Sequence, residues 1–119
     1  AMDPATGAFQ GALLALSHRT DWPEHDNLAW LRERLGAFTY IDRVVVARDA
    51  QGLGIGRALY ADLARLAASC GRPLLTCEVS TRPDNPASHR FHRKSGFQTL
   101  GDHSTPDGNK AVRYYAGHL

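Results

Sequence analysis

No apolar run in the 119-residue chain approaches the ~20 residues needed to span a bilayer, and no secretory signal opens it. Cysteine is scarce. Cys70 and Cys77 are too few for a disulfide scaffold. Cys70 falls at a predicted helix end and Cys77 within a predicted strand, so both are expected to be buried, reduced thiols of a cytoplasmic protein. The absence of CxxC and HExxH spacings argues against a bound metal. Charge of one sign is also lacking: 14 Lys and Arg against 12 Asp and Glu leave a net +2. A dedicated nucleic-acid binder would show a concentrated basic stripe. The Arg and His of Ser88–Gly96 read more simply as a solvated helix face than as a salt-sensitive nucleic-acid site. Repeats and low-complexity segments are absent as well.

What is present is ordinary for one globular domain, with 43% apolar and 22% charged residues. The opening Ala-Met-Asp-Pro, with Met2 behind Ala1, resembles a cloning scar. Residues 1–4 are therefore set aside, and 5–119 is taken as a single domain.

Phe9–His18 is an apolar run compatible with a strand. Leu28, Leu31 and Leu35 recur at helical spacing, with Asp26 or Asn27 as N-cap and Gly36 beyond the end. Phe38–Ala47, rich in β-branched and aromatic residues, reads as a strand. Ile55, Leu59, Leu63 and Leu66 form the apolar stripe of a helix that Gly71 ends and Pro73 keeps from resuming. Leu74–Ser80 is a second buried strand, and the segment after Asn85 a helix stopping at Gly96. Two closing strands are joined through a turn containing Asp107-Gly108. The strand-helix-strand crossover makes the first two strands of this half parallel, and the closing hairpin is antiparallel. A mixed sheet with helices on its faces is the outcome, of α/β or α+β class.

Three alternate glycines stand between a strand and a helix in Gln51–Arg57, QGLGIGR. The dinucleotide fingerprint GxGxxG fails, because its third glycine would fall on Arg57 or Leu59. The P-loop fails because no Gly-Lys pair exists. What stands is QxxGxG, with Gln51, Gly54 and Gly56. Glycines let the backbone turn with positive φ and approach a ligand, and a helix N-terminus adds free N–H groups and a positive dipole end. A pyrophosphate fits such a place, and so does a plain connecting turn that binds nothing.

A second segment, Asn85–Phe97 (NPASHRFHRKSGF), completes a constellation that resembles the GNAT superfamily of N-acetyltransferases. That family pairs an [R/Q]xxGx[G/A] loop after a central strand with a segment resembling NxxAxxxYxKxGF. Asn85, Lys94, Gly96 and Phe97 match, whereas Ser88 replaces the usual Ala and His92 the usual Tyr. The likeness covers Phe38 to the C-terminus. It implies an α+β, GNAT-like acyl-CoA N-acyltransferase fold: a mixed, mostly antiparallel sheet with a central parallel pair and helices on both faces. It implies acetyl-CoA as acyl donor, its pyrophosphate on the backbone N–H groups of Gly52, Leu53, Gly54, Ile55, Gly56 and Arg57. Val44, Val45 and Val46 would pair with the pantetheine amides where the sheet splays, and Asn85 would hydrogen-bond the pantetheine or sulfur end.

The chemistry sets its own demands. An alkylamine of pKa ~10.4 is protonated at neutral pH, so direct transfer needs a proton acceptor, an oxyanion donor and often an acid for the thiolate. Glu78, a carboxylate inside an apolar strand, is the acceptor candidate; a salt bridge or a solvated sheet face would also explain it. Asp42 ranks below it, since Arg43 offers a ready partner. The oxyanion donor would be a backbone N–H near Val46. His92 stands where the resemblance places the acid, and an imidazolium does that work. It could equally act as base, hydrogen-bond the sulfur, or be a packing residue.

Family domains carry further elements before the segment that begins near Phe9, and these help form the acceptor wall. Truncation, a naturally short protein or completion by a second subunit would each account for the difference, and truncation is the expectation. An incomplete sheet exposes an edge strand, which favours a homodimer. Two functions stay open: transfer of acetyl to a small-molecule or peptide amine, or a non-catalytic acyl-CoA-binding module. Protein N-termini, lysines, polyamines and aminoglycosides are all candidate acceptors.

Overall fold

A computed structural model describes all residues from Ala1 to Leu119. In chain order the elements are β1 (Gly11–Ser17), α1 (Asp26–Arg32), β2 (Thr39–Val46), a 3-10 turn (Arg48–Ala50), α2 (Ile55–Ser69), β3 (Leu75–Arg82), α3 (Pro86–Lys94), β4 (Gln98–Ser104) and β5 (Ala111–Gly117). The strands form one sheet in the order β1-β2-β3-β5-β4. Only β2 and β3 are parallel; the other three pairings are antiparallel. This is the expected mixed sheet with a central parallel pair.

That central pairing is short. Two residue pairs, Thr39 with Leu75 and Tyr40 with Thr76, join β2 to β3, whereas seven pairs join β1 to β2 and seven join β3 to β5. The strands part just where β2 carries a bulge. Leu14 pairs with Arg43 and Ala15 with Ile41, which leaves Asp42 as the extra residue. A bulge bends its strand and increases the local twist, so β2 peels from β3 beyond Tyr40 while staying paired with β1.

The two faces bury different sets. On one, α1 sets Leu28 and Leu31 against Phe38, Tyr40 and Tyr114. On the other, α2 and the strands bury Tyr60, Leu63, Ala67, Ile41, Cys77, Val79, Phe97 and Tyr115, with Phe91 of α3 packed alongside. Each such large side chain removed from water contributes ~1.5–3 kcal/mol. A stack fastens α1 to the sheet. The Trp30 ring lies 4.0 Å from that of Tyr114 at 13°, and the Arg34 guanidinium sits 3.7 Å over the Trp30 ring.

Several local expectations are corrected. The N-cap of α1 is His25, not Asp26 or Asn27; its side chain accepts from the Leu28 N–H. Any acceptor at that position satisfies an open helix amide, and His25 is fixed there by a second bond to Asp42. The buried stripe of α2 runs through Tyr60, Leu63 and Ala67, and Leu66 is 62% exposed. Cys70 is exposed and only Cys77 is buried, because α2 ends at Cys70, past the stripe that faces the sheet. There the left-handed Gly71 (φ 75°) lets its own N–H and that of Arg72 close onto the Ala68 and Ala67 carbonyls. Residues 1–4 fold back on the domain: Met2 bridges Phe9, and the Ala1 ammonium donates to the Gly11 carbonyl. No helix is long and apolar enough to cross a membrane.

Candidate functional site

The glycine loop takes its shape from the helix it leads into. α2 begins at Ile55, and Gly54 stands before it in the left-handed region (φ 79°), a conformation that excludes nearly every other residue. Gly52 also has positive φ, of 84°. The amides of Gly52, Gly54, Ile55, Gly56 and Arg57 make no backbone hydrogen bond. Leu53 differs from its neighbours: its N–H is turned to the Ala50 carbonyl and its side chain is exposed. Five free donors therefore stand at the positive end of a 15-residue helix. No atom lies within 4 Å of where a Cβ would stand on Gly52, Gly54 or Gly56, so the approach is open.

These donors border a cleft of about 760 Å³. Its walls include Val44 and Val46, the loop residues Gln51, Gly52, Gly54, Ile55, Gly56 and Arg57, Tyr60 of α2, and Ala87, Ser88, Phe91 and His92 of α3. The bulge at Asp42 is what turns Val44 and Val46 to this side. Val45, of opposite parity, is 45% exposed and does not line the cleft. Asn85 does not line it either. It is the N-cap of α3, its Oδ1 accepting from the Ser88 N–H at 3.3 Å. Eight of the expected cofactor residues thus meet around one cavity, and Val45, Leu53 and Asn85 stand outside it.

His92 faces the cleft from α3 and is buried. Its Nδ1 lies 2.8 Å from the Ser88 carbonyl, which can only accept, so Nδ1 carries a proton. Its Nε2 lies 2.8 Å from the Tyr60 hydroxyl; in the neutral ring that nitrogen accepts and Tyr60 donates. The ring also stacks on Tyr115 at 5.7 Å. Burial holds the His92 pKa below the usual histidine value and pushes that of Tyr60 up.

Glu78 lies on the opposite face, since β3 alternates and its neighbours Cys77 and Val79 point into the α2 side. Its Oε2 accepts from the Tyr40 hydroxyl at 2.6 Å. Burial, the largest influence, raises its pKa from 4.5 to about 7, against the lowering effect of the Tyr40 bond. Asp42 is close by but committed: His25 Nε2 donates to it at 2.8 Å while Nδ1 caps α1. Tyr114 donates to Asn27 Oδ1 at 2.7 Å on the same face. The acid and base candidates therefore flank the divergence of β2 and β3 from its two sides. No group of three or more His, Cys, Asp or Glu is placed to hold a metal ion.

Two tyrosines at the centre of this arrangement escape a reading of the sequence alone. Tyr60 is hidden because the leucines of α2 suggest a stripe one position away, although Gly56, Tyr60, Leu63 and Ala67 also recur at helical spacing. Tyr40 reads as one more aromatic of a core strand; only its pairing with Glu78, 38 residues on, reveals its role.

A family model described as the acetyltransferase (GNAT) family matches residues 17–97. Among solved structures, a GNAT-family acetyltransferase of Listeria monocytogenes has a TM-score of 0.69 and 20% identity, covering 99% of this chain and 62% of its own. A Bacillus anthracis protein described as a streptothricin acetyltransferase, in complex with acetyl coenzyme A, has a TM-score of 0.69 and 18% identity, covering 96% and 59%. The Drosophila melanogaster polyamine N-acetyltransferase, which forms N-acetylagmatine, has a TM-score of 0.68 and 14% identity, covering 96% and 71%. At these identities the likeness is one of fold. The chain spans about three-fifths of the length of the first two. No curated protein sequence matches it at a significant level.

Proposed function

The chain belongs to the acetyltransferase (GNAT) family, whose model spans more than half of it, and on that premise we propose that it is an N-acetyltransferase moving the acetyl group of acetyl-CoA directly to a primary amine. The observation that carries this reading is the set of five unpartnered amides, on Gly52, Gly54, Ile55, Gly56 and Arg57, bordering the cleft beside β2. A pyrophosphate satisfies them, and the helix dipole favours its charge. The β3 side of β2 beyond Tyr40 has no strand partner, so the backbone of Val44–Val46 can pair with the pantetheine amides. Asn85, its oxygen spent on the helix cap, keeps its NH2 for the same arm. When bound, acetyl-CoA supplies an activated thioester.

The residues of the chain then divide the proton work. Glu78, with a pKa near 7, is ionised in a useful fraction at neutral pH and basic enough to take the proton of the attacking amine. His92 serves the other face. Its protonated form donates from Nε2 to the Tyr60 hydroxyl, which hands its own proton to the departing sulfur. Burial lowers the His92 pKa, so this form is the minority at neutral pH but a stronger acid, and the acid role weakens as pH rises. The acceptor approaches from the Glu78 face and the thiol leaves on the His92 face.

A second reading, a module that binds acyl-CoA without transferring it, is favoured by one observation: the side chains of Glu78 and His92 are each already hydrogen-bonded to a tyrosine, Tyr40 and Tyr60. Calorimetric titration with acetyl-CoA beside a thiol-release assay over a panel of amines separates the two. Binding with amine-dependent release of CoA is expected. Binding without release for any amine supports the module, and no binding at millimolar concentration refutes both.

A further inference from the structure

α1 is only seven residues long, too short to persist alone in water, so it depends on what fastens it to the sheet. Tyr114 donates to Asn27 and stacks on Trp30. Arg32, in the last turn, donates to the His18 and Thr20 carbonyls. The cap is held by His25 alone: no other hydrogen bond joins residues 21–26 to the sheet. The imidazole does this by working at both nitrogens. The Leu28 N–H can only donate, so Nδ1 accepts from it at 3.2 Å and the ring proton sits on Nε2. Nε2 then donates to Asp42 at 2.8 Å. Both side chains are largely buried, and the ring lies in edge contact with Trp22 and Tyr40, at centroid distances of 4.7 and 5.2 Å. Asp42 is the extra residue of the β2 bulge, so the cap is tied to the place where β2 leaves β3.

The helix in turn covers Glu78. Its Leu28 and Leu31 pack with Tyr40 and Tyr114, both fully buried. Tyr40 donates to the Glu78 carboxylate, and Tyr114 stands directly opposite Glu78 in the β3–β5 ladder. If the start of the helix lifts, water reaches the carboxyl between the two tyrosines. We propose that His25 is a positioning residue: by tying the cap of α1 to Asp42 it holds the helix over Glu78 and keeps water from the carboxyl group.

The groups facing Glu78 are Tyr40 and Asp42 of β2, Tyr114 of β5 and His25 before α1, while Tyr60 and Cys77 sense its charge from the other face. Asp26 and Arg34 act on Tyr114 instead. Two roles of His25 predict opposite signs. As a charge it lowers the Glu78 pKa and Asp42 raises it, so its loss would push the carboxyl further up. As a positioning residue it sustains burial, the largest cause of the rise to about 7, so its loss brings the carboxyl back toward 4.5.

The test is an NMR titration of the Glu78 carboxyl carbon, beside amide hydrogen exchange, in the wild type, His25→Asn and His25→Ala. Asparagine still caps a helix but is too short to reach Asp42 as well, and alanine does neither. In both variants the α1 amides should exchange about tenfold faster while those of β3 and β5 keep their protection, which shows that the fold survives. The Glu78 midpoint should fall by about 0.5–1 pH unit in His25→Asn and further in His25→Ala. His25→Asn decides the matter where His25→Ala does not fold. A midpoint that stays at the wild-type value or rises overturns the proposal, whatever the exchange rates. A fall with unchanged exchange in α1 overturns the route through the helix. The inference takes its catalytic meaning from the reading of Glu78 as base, but the titration does not depend on that reading. A carboxyl that shifts as expected, in a protein that transfers no acetyl group, leaves the tie standing and refutes that reading alone.

Discussion

Glu78→Gln should stabilise the protein above neutral pH while it removes the proposed base. In the fold the carboxyl holds its proton up to about pH 7, chiefly because it is buried, against an ordinary value of 4.5. The folded state thus binds the proton more tightly than the unfolded chain. Between pH 4.5 and 7 the unfolded chain has lost its proton and the fold has kept it, so stability falls as pH rises through that window. The gap from 4.5 to about 7 is 2.5 pH units, which at ~1.36 kcal/mol per unit is about 3 kcal/mol. Glutamine never ionises and its oxygen still accepts from Tyr40, but its NH2 needs a partner, so a gain of about 1–3 kcal/mol at pH 8 is expected. Urea unfolding followed by circular dichroism at pH 5 and pH 8 measures this. The difference between variant and wild type should be near zero or unfavourable at pH 5 and favourable at pH 8. A difference that does not change with pH, or that grows unfavourable as pH rises, refutes the reasoning. The same variant should lose ~10²–10⁴ in kcat/KM if Glu78 is the base.

Tyr40→Phe removes a donor that favours the ionised carboxylate, so the acid limb of the kcat/KM profile should move up by about 0.5–1 pH unit; an unmoved limb would show that the bond does not tune Glu78. Gly54→Ala places a Cβ at φ 79° and should cost ~1–2 kcal/mol by thermal unfolding, together with acetyl-CoA affinity. Gly56→Ala meets no such strain and should keep the melting temperature while weakening acetyl-CoA in calorimetry; undiminished affinity would remove the loop from the binding site. For His92, kcat/KM of His92→Ala should fall by ~10²-fold, with partial recovery in His92→Tyr; an unchanged value in the alanine variant ends the acid role.

Periodicity and turn chemistry make most of the architecture readable. Gly71 and Gly96 mark helix ends, and the Asp107-Gly108 turn joins the closing strands. The glycine loop is legible because its chemistry is local: backbone amides depend on φ and on the start of a helix, both of which neighbouring residues dictate. The partners of Glu78 and His92 are not, since Tyr40 is 38 residues and Tyr60 is 32 residues away in sequence. The helix cap at His25 escapes for a related reason. A histidine makes a poor cap by propensity, and only the Asp42 carboxylate across the sheet holds its ring in place. Leucine content misplaces the buried face of α2 by one position, because Tyr60 outweighs Leu66 once it has an aromatic cluster to join.

The extra residue at Asp42 gives β2 two phases. Tyr40 and Val44 have the same parity, yet one belongs to the α1 side with Glu78 and the other to the cleft. A single strand is thereby divided between two tasks. Under the proposed function, its first half can be altered to suit the incoming amine, and its second half to suit the donor, without one set of changes intruding on the other. Such a partition lets one scaffold keep its coenzyme while exchanging acceptors.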